Sequence, residues 1–317
     1  MIRAVGRLDG HHDAVLQLAF DPARQLLFSA DAKGFVRASR PVQSANGGEV
    51  VWRAKEPAAV TALACATRGT TDVLMAAGAF DRLSMYARAN GEERTHLVLA
   101  GDVPGRRVVD LAVAPSLGRA VAVTQQGVLI AYQLADGARL LAQPCGLDSA
   151  KSCAVRAEGE AGAALVAVGD STGRVALLQY TAVGMTILST QTLAADTVVY
   201  GTTLLDATAA TGPALLALTS DGTLHYQGAS DDAPRPIAQA KQEHYALAVR
   251  ADGRMALVGG EPKEIGVIRL PDGKRLATLA TDGRPIWSLA VDAEGRYAAA
   301  GDSDGTIFLY HLAAALP

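Results

Sequence analysis

One pattern of hydrophobic and polar positions recurs along the chain. It consists of a short apolar run, a tight turn centred on glycine or a polar pair, and a second apolar run. Seven copies occupy residues 25–40, 72–87, 119–134, 164–180, 214–228, 254–270 and 296–312. Their turns lie at Gly34, Arg82, Gly127, Gly173, Gly222, Lys263-Glu264 and Gly305, at intervals of 41 to 49 residues. Self-similarity with such a period indicates a repeat architecture, and its length suits four strands with their connections.

The two apolar arms of each copy are predicted to be β-strands joined as a hairpin, which we designate strands b and c. Glycine at the turn readily adopts the positive φ that a tight hairpin requires. A preceding Val-x-x-Leu-Ala segment predicts an inner strand a at residues 15–20, 60–65, 108–113 and 286–291, with poorer matches at 150–155 and 198–203. An Asp-Gly turn after the hairpin, as at residues 135–144 and 271–280, introduces an outer strand d.

The last copy is followed by too few residues for a strand d, because only five residues come after Leu312. Residues 2–8, in contrast, precede the first strand a without an assigned partner. The sequence therefore predicts an all-β fold, a seven-bladed β-propeller in which residues 2–8 complete the last blade and no blade edge stays open. In this single domain, residues 1–317, the predicted blades are residues 9–53, 54–100, 101–144, 145–194, 195–240, 241–281, and 282–312 with 2–8.

Residues 10–39 and 286–311 resemble WD-repeat (WD40) proteins. The family pattern has a glycine-histidine pair, a Val-x-x-Leu strand and a hairpin around Asp-Gly that ends in Trp-Asp. Gly10-His11 matches the first feature and Asp304-Gly305 the turn, while Tyr310-His311 stands in the place of Trp-Asp. The resemblance covers the whole chain in divergent form and is strongest in the first and last blades. It implies a propeller that acts by docking a protein partner.

Many WD repeats connect each blade through a hydrogen-bonded tetrad of His, Ser, Asp and Trp. By the resemblance, blade one retains His11 but has Lys33 at the turn and Ser39 at the tryptophan position, and blade seven retains Asp304 without the histidine. No blade is expected to assemble all four residues. Blade cohesion is therefore expected to depend mainly on ladder hydrogen bonds and aliphatic packing.

Charge, apolar runs and cysteine spacing indicate which partners and cellular locations to expect. Twenty-nine basic and 32 acidic residues give a net charge of −3 without a basic block, so nucleic acid is not an expected partner. No apolar run approaches a membrane span and Met1 to Ala4 do not resemble a secretory signal, which predicts a cytoplasmic location without membrane insertion. Three cysteines without CxxC spacing predict reduced thiols. Abundant alanine and 23 arginines against 6 lysines are typical of GC-rich bacterial genomes.

The sequence predicts neither a catalytic site nor a cofactor or metal site. Ser171 and Ser303 each lie in a G-x-S-x-G stretch, but a nucleophile elbow needs a strand-to-helix turn, whereas both serines occupy the same b-to-c turn of the repeat. His11 and His12 beside Asp13 are interpreted as turn residues and not as metal ligands. The chain also lacks the glycine-rich dinucleotide and nucleoside-triphosphate motifs.

By analogy with WD-repeat relatives, the face formed by the d-to-a and b-to-c loops, which we call the loop face, is the expected docking surface. Arginine and large aromatic residues favour binding hot spots. The predicted partner-binding residues are Arg82, Arg106, Arg107, Arg284 and Trp287. The same face is expected to display Asp9, His11, His12, Asp13, Asp170, Arg174, Asp221, Glu261, Lys263 and Asp302.

The leading hypothesis is therefore a monomeric, non-catalytic protein–protein interaction scaffold whose partner is not identified. The alternative is a metal-dependent, lactonase-like enzyme or small-ligand binder that uses the central channel, for which Asp110 and Glu243 are the acidic candidates. A redox-cofactor propeller is a third option, which the chain supports least because it has no CxxCH motif.

Overall fold

Seven four-stranded antiparallel sheets make up the described part of the chain. The computed structural model describes residues 2–21, 26–41, 48–68, 71–98, 107–158, 162–181, 183–205, 214–261 and 263–312. Blade one contains β2 (Val15–Asp21), β3 (Leu26–Asp31), β4 (Phe35–Pro41) and β5 (Gly48–Lys55). Blade two contains β6 (Val60–Arg68), β7 (Thr71–Gly78), β8 (Arg82–Ala87) and β9 (Glu93–Val98). Blade three contains β10 (Val108–Ala114), β11 (Arg119–Thr124), β12 (Val128–Gln133) and β13 (Arg139–Pro144), with a 3-10 turn at Pro115–Leu117.

The remaining blades repeat the same order of strands from the inside outwards. Blade four contains β14 (Ala150–Glu158), β15 (Ala163–Asp170), β16 (Arg174–Thr181) and β17 (Gly184–Thr192). Blade five contains β18 (Val199–Leu205), β19 (Ala214–Thr219), β20 (Thr223–Gln227) and β21 (Arg235–Gln239). Blade six contains β22 (His244–Val249), β23 (Met255–Gly260), β24 (Glu264–Arg269) and β25 (Arg275–Ala280). Blade seven contains β26 (Ile286–Val291), β27 (Tyr297–Asp302), β28 (Ile307–His311) and β1 (Arg3–Leu8).

The pairing of β1 with β28 closes the ring. The two strands are antiparallel, with Arg3 opposite His311 and Leu8 opposite Ile307, so the N-terminal strand is strand d of blade seven. The inner strands of neighbouring blades contact one another all the way round, including β2 of blade one against β26 of blade seven. The predicted seven-bladed propeller with an N-terminal closing strand is confirmed.

The hydrophobic core lies between adjacent blades and not within any one of them. Between blades one and two, for example, Phe28 packs against Trp52 and Trp52 against Tyr86, with ring centroids 5.7 and 6.1 Å apart. The Trp52 indole N–H donates to the carbonyl of Arg88 at 2.9 Å, so the polar end of this large side chain is satisfied. Each sheet buries both of its faces against its neighbours, which is why most residues of strands b and c are apolar.

The strands are the dominant regular structure of the described residues. No helix long and apolar enough to cross a bilayer is found among them.

Candidate functional site

Every inner strand carries a β-bulge at its second residue. The strand a to strand b register skips one residue in each blade, for example between Val15 and Gln17 in blade one. The skipped residues, which we call the bulge ring, are Leu16, Thr61, Val109, Lys151, Tyr200, Tyr245 and Trp287. A bulge breaks the ladder and re-aims a side chain. Because the inner strands surround the axis and begin at the loop face, this ring frames the mouth of the central channel.

The bulge residues of blades five, six and seven form a continuous aromatic arc, Tyr200, Tyr245 and Trp287. Tyr200 meets Tyr245 edge to face, with centroids 5.3 Å apart and an interplanar angle of 80°. Tyr245 stacks on Trp287 at 4.8 Å and 17°. Trp287 remains 37% exposed, which is unusual for so large an apolar side chain. The arc is therefore a preformed aromatic surface at the channel mouth.

Two exposed carboxylates converge on the phenol of Tyr245. Its hydroxyl oxygen lies 2.9 Å from an Oε atom of Glu243 and 2.9 Å from an Oε atom of Glu261. Burial raises the pKa of Tyr245, and the two carboxylates raise it further, so the phenol is protonated at neutral pH. A phenol has a single hydrogen to donate. One carboxylate is therefore left without a donor from this group, and the site attracts cations.

The predicted partner-binding residues do not form one cluster. Trp287 belongs to the arc, and Arg284, three residues before it, is exposed and bound to Asp304 at 2.8 Å. Arg107 is exposed at the start of blade three. Arg106 lies outside the described residues.

Arg82 is held within blade two. Its guanidinium lies 2.9 Å from the carboxylate of Glu56, whose side chain is 0% exposed, and Glu56 also accepts a hydrogen bond from the phenol of Tyr86. The Glu56 hydrogen bond raises the pKa of Arg82, with a smaller opposing effect of burial. A buried carboxylate without a cation would be strongly destabilising, so Arg82 has a structural task in addition to any role in binding.

Three residues expected on the loop face are buried instead. His11, Asp170 and Asp302 are all at most 5% exposed. The reason lies in the turns: Asp170 accepts the backbone N–H groups of Thr172 and Arg174, and the Asp302 carboxylate binds the corresponding groups of its own turn. Each aspartate ends strand b and caps the b-to-c turn that follows.

Asp31 is the equivalent residue of blade one, where it accepts the N–H groups of Lys33 and Phe35, both at 2.9 Å. The expectation that Lys33 and Asp304 occupy the turn-carboxylate position is therefore wrong, since Asp31 and Asp302 do so. The carboxylate must precede the turn by two residues to reach its N–H groups.

Blade one assembles three members of the tetrad. His11 binds Asp31 through Nδ1 at 2.9 Å and Ser29 through Nε2 at 2.7 Å. Burial lowers the pKa of His11, and the hydrogen bond to Asp31 opposes that shift in part. The neutral tautomer that satisfies the network donates from Nδ1 to Asp31 and accepts at Nε2 from the Ser29 hydroxyl. Polar side chains thus contribute to the cohesion of this blade more than the sequence suggested.

The fourth tetrad position, on strand c, is also different from the one expected. Ser29 is paired across the sheet with Arg37, not with Ser39.

The two acidic candidates near the channel are far apart in the ring. Asp110, in blade three, accepts the backbone N–H groups of Leu111 and Cys153 at 2.8 and 2.7 Å, which ties blade three to blade four. Burial raises its pKa to about 7. Glu243, in blade six, faces Tyr245. Within the described residues no group of three or more His, Cys, Asp and Glu side chains is arranged to hold a metal ion. Ser171 and Ser303 lie in b-to-c turns followed by strands, as expected.

Sequence reasoning missed Tyr200 and Tyr245. Both occupy the second position of strand a, as Trp287 does, so aligning the seven inner strands would have revealed the arc. The strand a pattern fits blade five poorly, however, and blade six has His244 where the pattern has valine. The bulge itself leaves no mark in the sequence.

Comparison with known proteins agrees with this architecture. Residues 3–38 and 271–311 match the family described as WD domain, G-beta repeat. The crystal structure of the WD40 beta propeller domain of Doa1 superposes with a TM-score of 0.79 over 99% of this chain and 98% of that chain, at 14% identity. At this identity the likeness shows the fold alone. No curated protein sequence matches the chain. The predicted resemblance to WD-repeat proteins is confirmed.

Proposed function

We propose that this propeller is a non-catalytic interaction scaffold that docks a protein partner on the aromatic arc of its loop face. The observation that carries the proposal is the stacking of an exposed tryptophan, Trp287, on Tyr245 at the channel mouth. WD40 propellers commonly serve as protein-interaction scaffolds, and the fold and the family matches agree with such a role.

The arc has the composition and rigidity of a binding hot spot. Tryptophan and tyrosine are the residues most enriched among those that dominate binding energies, because they offer a large contact area at a low entropic cost. Here all three rings are carried by strands that are hydrogen-bonded into the propeller, and each is braced by its neighbour. Little conformational freedom is lost when a partner covers them, which favours affinity.

The charge around the arc indicates the chemistry of the partner. Glu243 and Glu261 share the one phenolic hydrogen of Tyr245, and an arginine or lysine side chain would supply the missing donors. The faces of the adjacent tyrosine and tryptophan rings also attract cations. The partner therefore presents a basic segment to the channel mouth. Arg284, three residues before Trp287, would contact acidic residues of the partner at the edge of this interface.

The proposed setting is the cytoplasm. Cys65, Cys145 and Cys153 are all free thiols, as a reducing compartment requires. The proposal involves one copy of the chain and no nucleic acid.

The experiment is affinity capture of the partner from the native host, followed by calorimetric measurement of its dissociation constant. Trp287→Ala and Tyr245→Ala should each weaken binding by at least about 30-fold, the effect of a hot-spot residue worth about 2 kcal/mol. Leu188→Ala is the matched control, because Leu188 is an exposed apolar residue on an outer strand, β17. It should leave binding unchanged.

Equal affinity for the Trp287→Ala, Tyr245→Ala and Leu188→Ala proteins would exclude the arc as the docking site. A captured partner that binds only through an acidic segment would contradict the charge argument, even if the aromatic residues proved important.

A further inference from the structure

Strand c of blade one carries a buried charged side chain, and the other blades have no charged side chain at the equivalent position. Arg37, on strand c, pairs with Ser29 on strand b and is only 7% exposed. The strand pairings place it level with Ser84, Ile130, Ala176, His225, Gly266 and Phe308 of the other blades. Burying a guanidinium is costly unless its charge and its N–H groups find partners. The surroundings of Arg37 therefore require an explanation.

The protein itself supplies few partners to this guanidinium. Its Nη1 donates to the carbonyl of Asp9 at 3.3 Å, and it forms no ion pair with a carboxylate of the described residues. The nearby Asp31 carboxylate already accepts from His11 and from two backbone N–H groups. Across the sheet Arg37 stands opposite Arg53, a like charge. Burial lowers the pKa of Arg37 and Arg53 lowers it further, while the nearby carboxylate of Asp31 raises it in part.

The guanidinium borders a cavity of about 310 Å³ between blades seven and one. The wall includes Arg7 of β1, the closing strand, and Ser39 of β4, with Asp9 between them. Gly10 leaves room for the guanidinium, since a Cβ at this residue would lie 2.9 Å from both Nη atoms of Arg37. The cavity thus combines two cationic side chains and the hydroxyls of Ser29 and Ser39 with the carboxylate of Asp9. Arg7 is paired with Asp9 and with Asp282, so Arg37 is the cation of this lining without an ion pair among the described residues.

We propose that this cavity binds a phosphate-type oxyanion, held by the Arg37 guanidinium and the Ser39 hydroxyl, with Arg7 forming the blade-seven side of the site. The planar fork of arginine matches the oxygens of such an anion, and the anion would supply the ion-pair partner that Arg37 lacks among the described residues. Because Arg7 belongs to the closing strand and Arg37 to blade one, the bound anion would link the two blades at which the ring closes. Any ligand that binds only the folded state stabilises it.

The test uses the full chain and inorganic phosphate in a buffer without other oxyanions, with sodium chloride added to match ionic strength. Phosphate should raise the melting temperature saturably and should broaden its own ³¹P resonance in the presence of the protein. Arg37→Met should abolish both effects. Arg40→Met is the matched control, because Arg40 lies on the same strand but is exposed and paired with Glu49 at 2.9 Å. It should retain both effects.

An identical response of the wild-type and Arg37→Met proteins would mean an adventitious ion only and would overturn the proposal. Absence of saturable ³¹P broadening with the wild-type protein would do the same. Should Arg37→Met fail to fold, Arg37→Lys keeps the charge without the planar fork, and Ser39→Ala removes the hydroxyl. Each should weaken phosphate binding by about tenfold, and unchanged affinity in both would be decisive against the site.

Discussion

Tyr245 and Trp287 stack with their ring centroids 4.8 Å apart, although they belong to different blades. The contact exists because the inner strand of each blade bulges at the same residue, so that equivalent side chains meet around the channel mouth. The repeated bulge thereby provides a continuous aromatic surface that no single blade could form.

The acidic side chains beside the arc should control both the strength and the salt dependence of partner binding. The double substitution Glu243→Gln/Glu261→Gln removes both carboxylates and should weaken binding by at least about tenfold, since charge-assisted hydrogen bonds contribute about 1.5–3 kcal/mol. The slope of affinity against salt concentration should also fall. Isothermal titration at two salt concentrations measures both. Glu294→Gln, at an exposed glutamate bound to Arg296, is the control and should behave like the wild type.

Arg82→Ala should act on stability. Removal of the guanidinium leaves the buried carboxylate of Glu56 with only the Tyr86 hydrogen bond, at an expected cost of about 2–3 kcal/mol. Urea unfolding measures the loss, and Arg107→Ala, at an exposed residue, should stay within about 0.5 kcal/mol of the wild type. If Arg82→Ala kept full stability and lost the partner instead, Arg82 would be an interface residue and not a structural one.

His11 should make the fold less stable in acid. Its folded-state pKa is lowered by burial, so the unfolded chain binds a proton more readily than the folded one. Stability from this group is complete above pH 6.5 and is lost as the pH falls through the lower folded-state value. Urea unfolding at pH 7.5 and 5.5 should show this slope, and His11→Gln should reduce it. His12→Gln, which alters an exposed side chain, should not, and an equal slope in all three proteins would rule out His11 as its source.

The stability contributed by Asp110 should depend on pH in the opposite sense to that contributed by His11. Burial raises its pKa to about 7, so the folded state holds a proton between about pH 4 and 7 that the unfolded state releases. The stability contributed by this group is present in acid and is lost as the pH rises through 7. Carboxyl ¹³C chemical shifts of the folded protein report the titration directly. A midpoint near 4, the value of an exposed aspartate, would contradict the prediction.

The closing strand can be tested with a disulfide. Arg3 lies opposite His311 in the β1–β28 pair, so Arg3→Cys/His311→Cys should form a bridge across the ring closure. A loop of about 300 residues gives an entropic stabilisation of up to about 5 kcal/mol. The melting temperature should be higher in the oxidised than in the reduced protein. Burial raises the pKa of all three native thiols, so they should not compete in the oxidation.

A single cysteine, Arg3→Cys, controls for oxidation itself. Equal melting temperatures of the oxidised and reduced double variant, with the bridge verified by mass spectrometry, would argue against a role of this strand pair in stability.

The propeller was predictable because the regular spacing of the hairpin turns shows the period of the repeat. Glycine after a polar residue marks five of the seven hairpins, and the absence of a last strand d implies that residues 2–8 fill the gap. The position of Trp287 at the second residue of an inner strand was also predictable, because residues 286–291 match the strand a pattern. The other arc residues were not, because a bulge depends on pairing with a neighbouring strand.

Arg37 and Arg82 show the other limit of the sequence. The first is buried and the second is bound to a buried carboxylate, and both facts depend on residues distant in the chain. A list of arginines cannot separate those that bind partners from those that hold the fold together. The position of Glu56 beside Arg82, and that of the cavity between blades seven and one beside Arg37, separate these two arginines from those on the surface.

The pairing of Leu8 with Ile307 has a consequence for biosynthesis. About 300 residues separate the two, and at roughly 5–20 residues per second the ribosome needs about 15 to 60 seconds to make the second after the first. For most of that time β1 has no blade-seven sheet to join, while the earlier blades are completed. Protection of this one strand during translation is therefore a requirement that the ring closure adds to the folding of the individual blades.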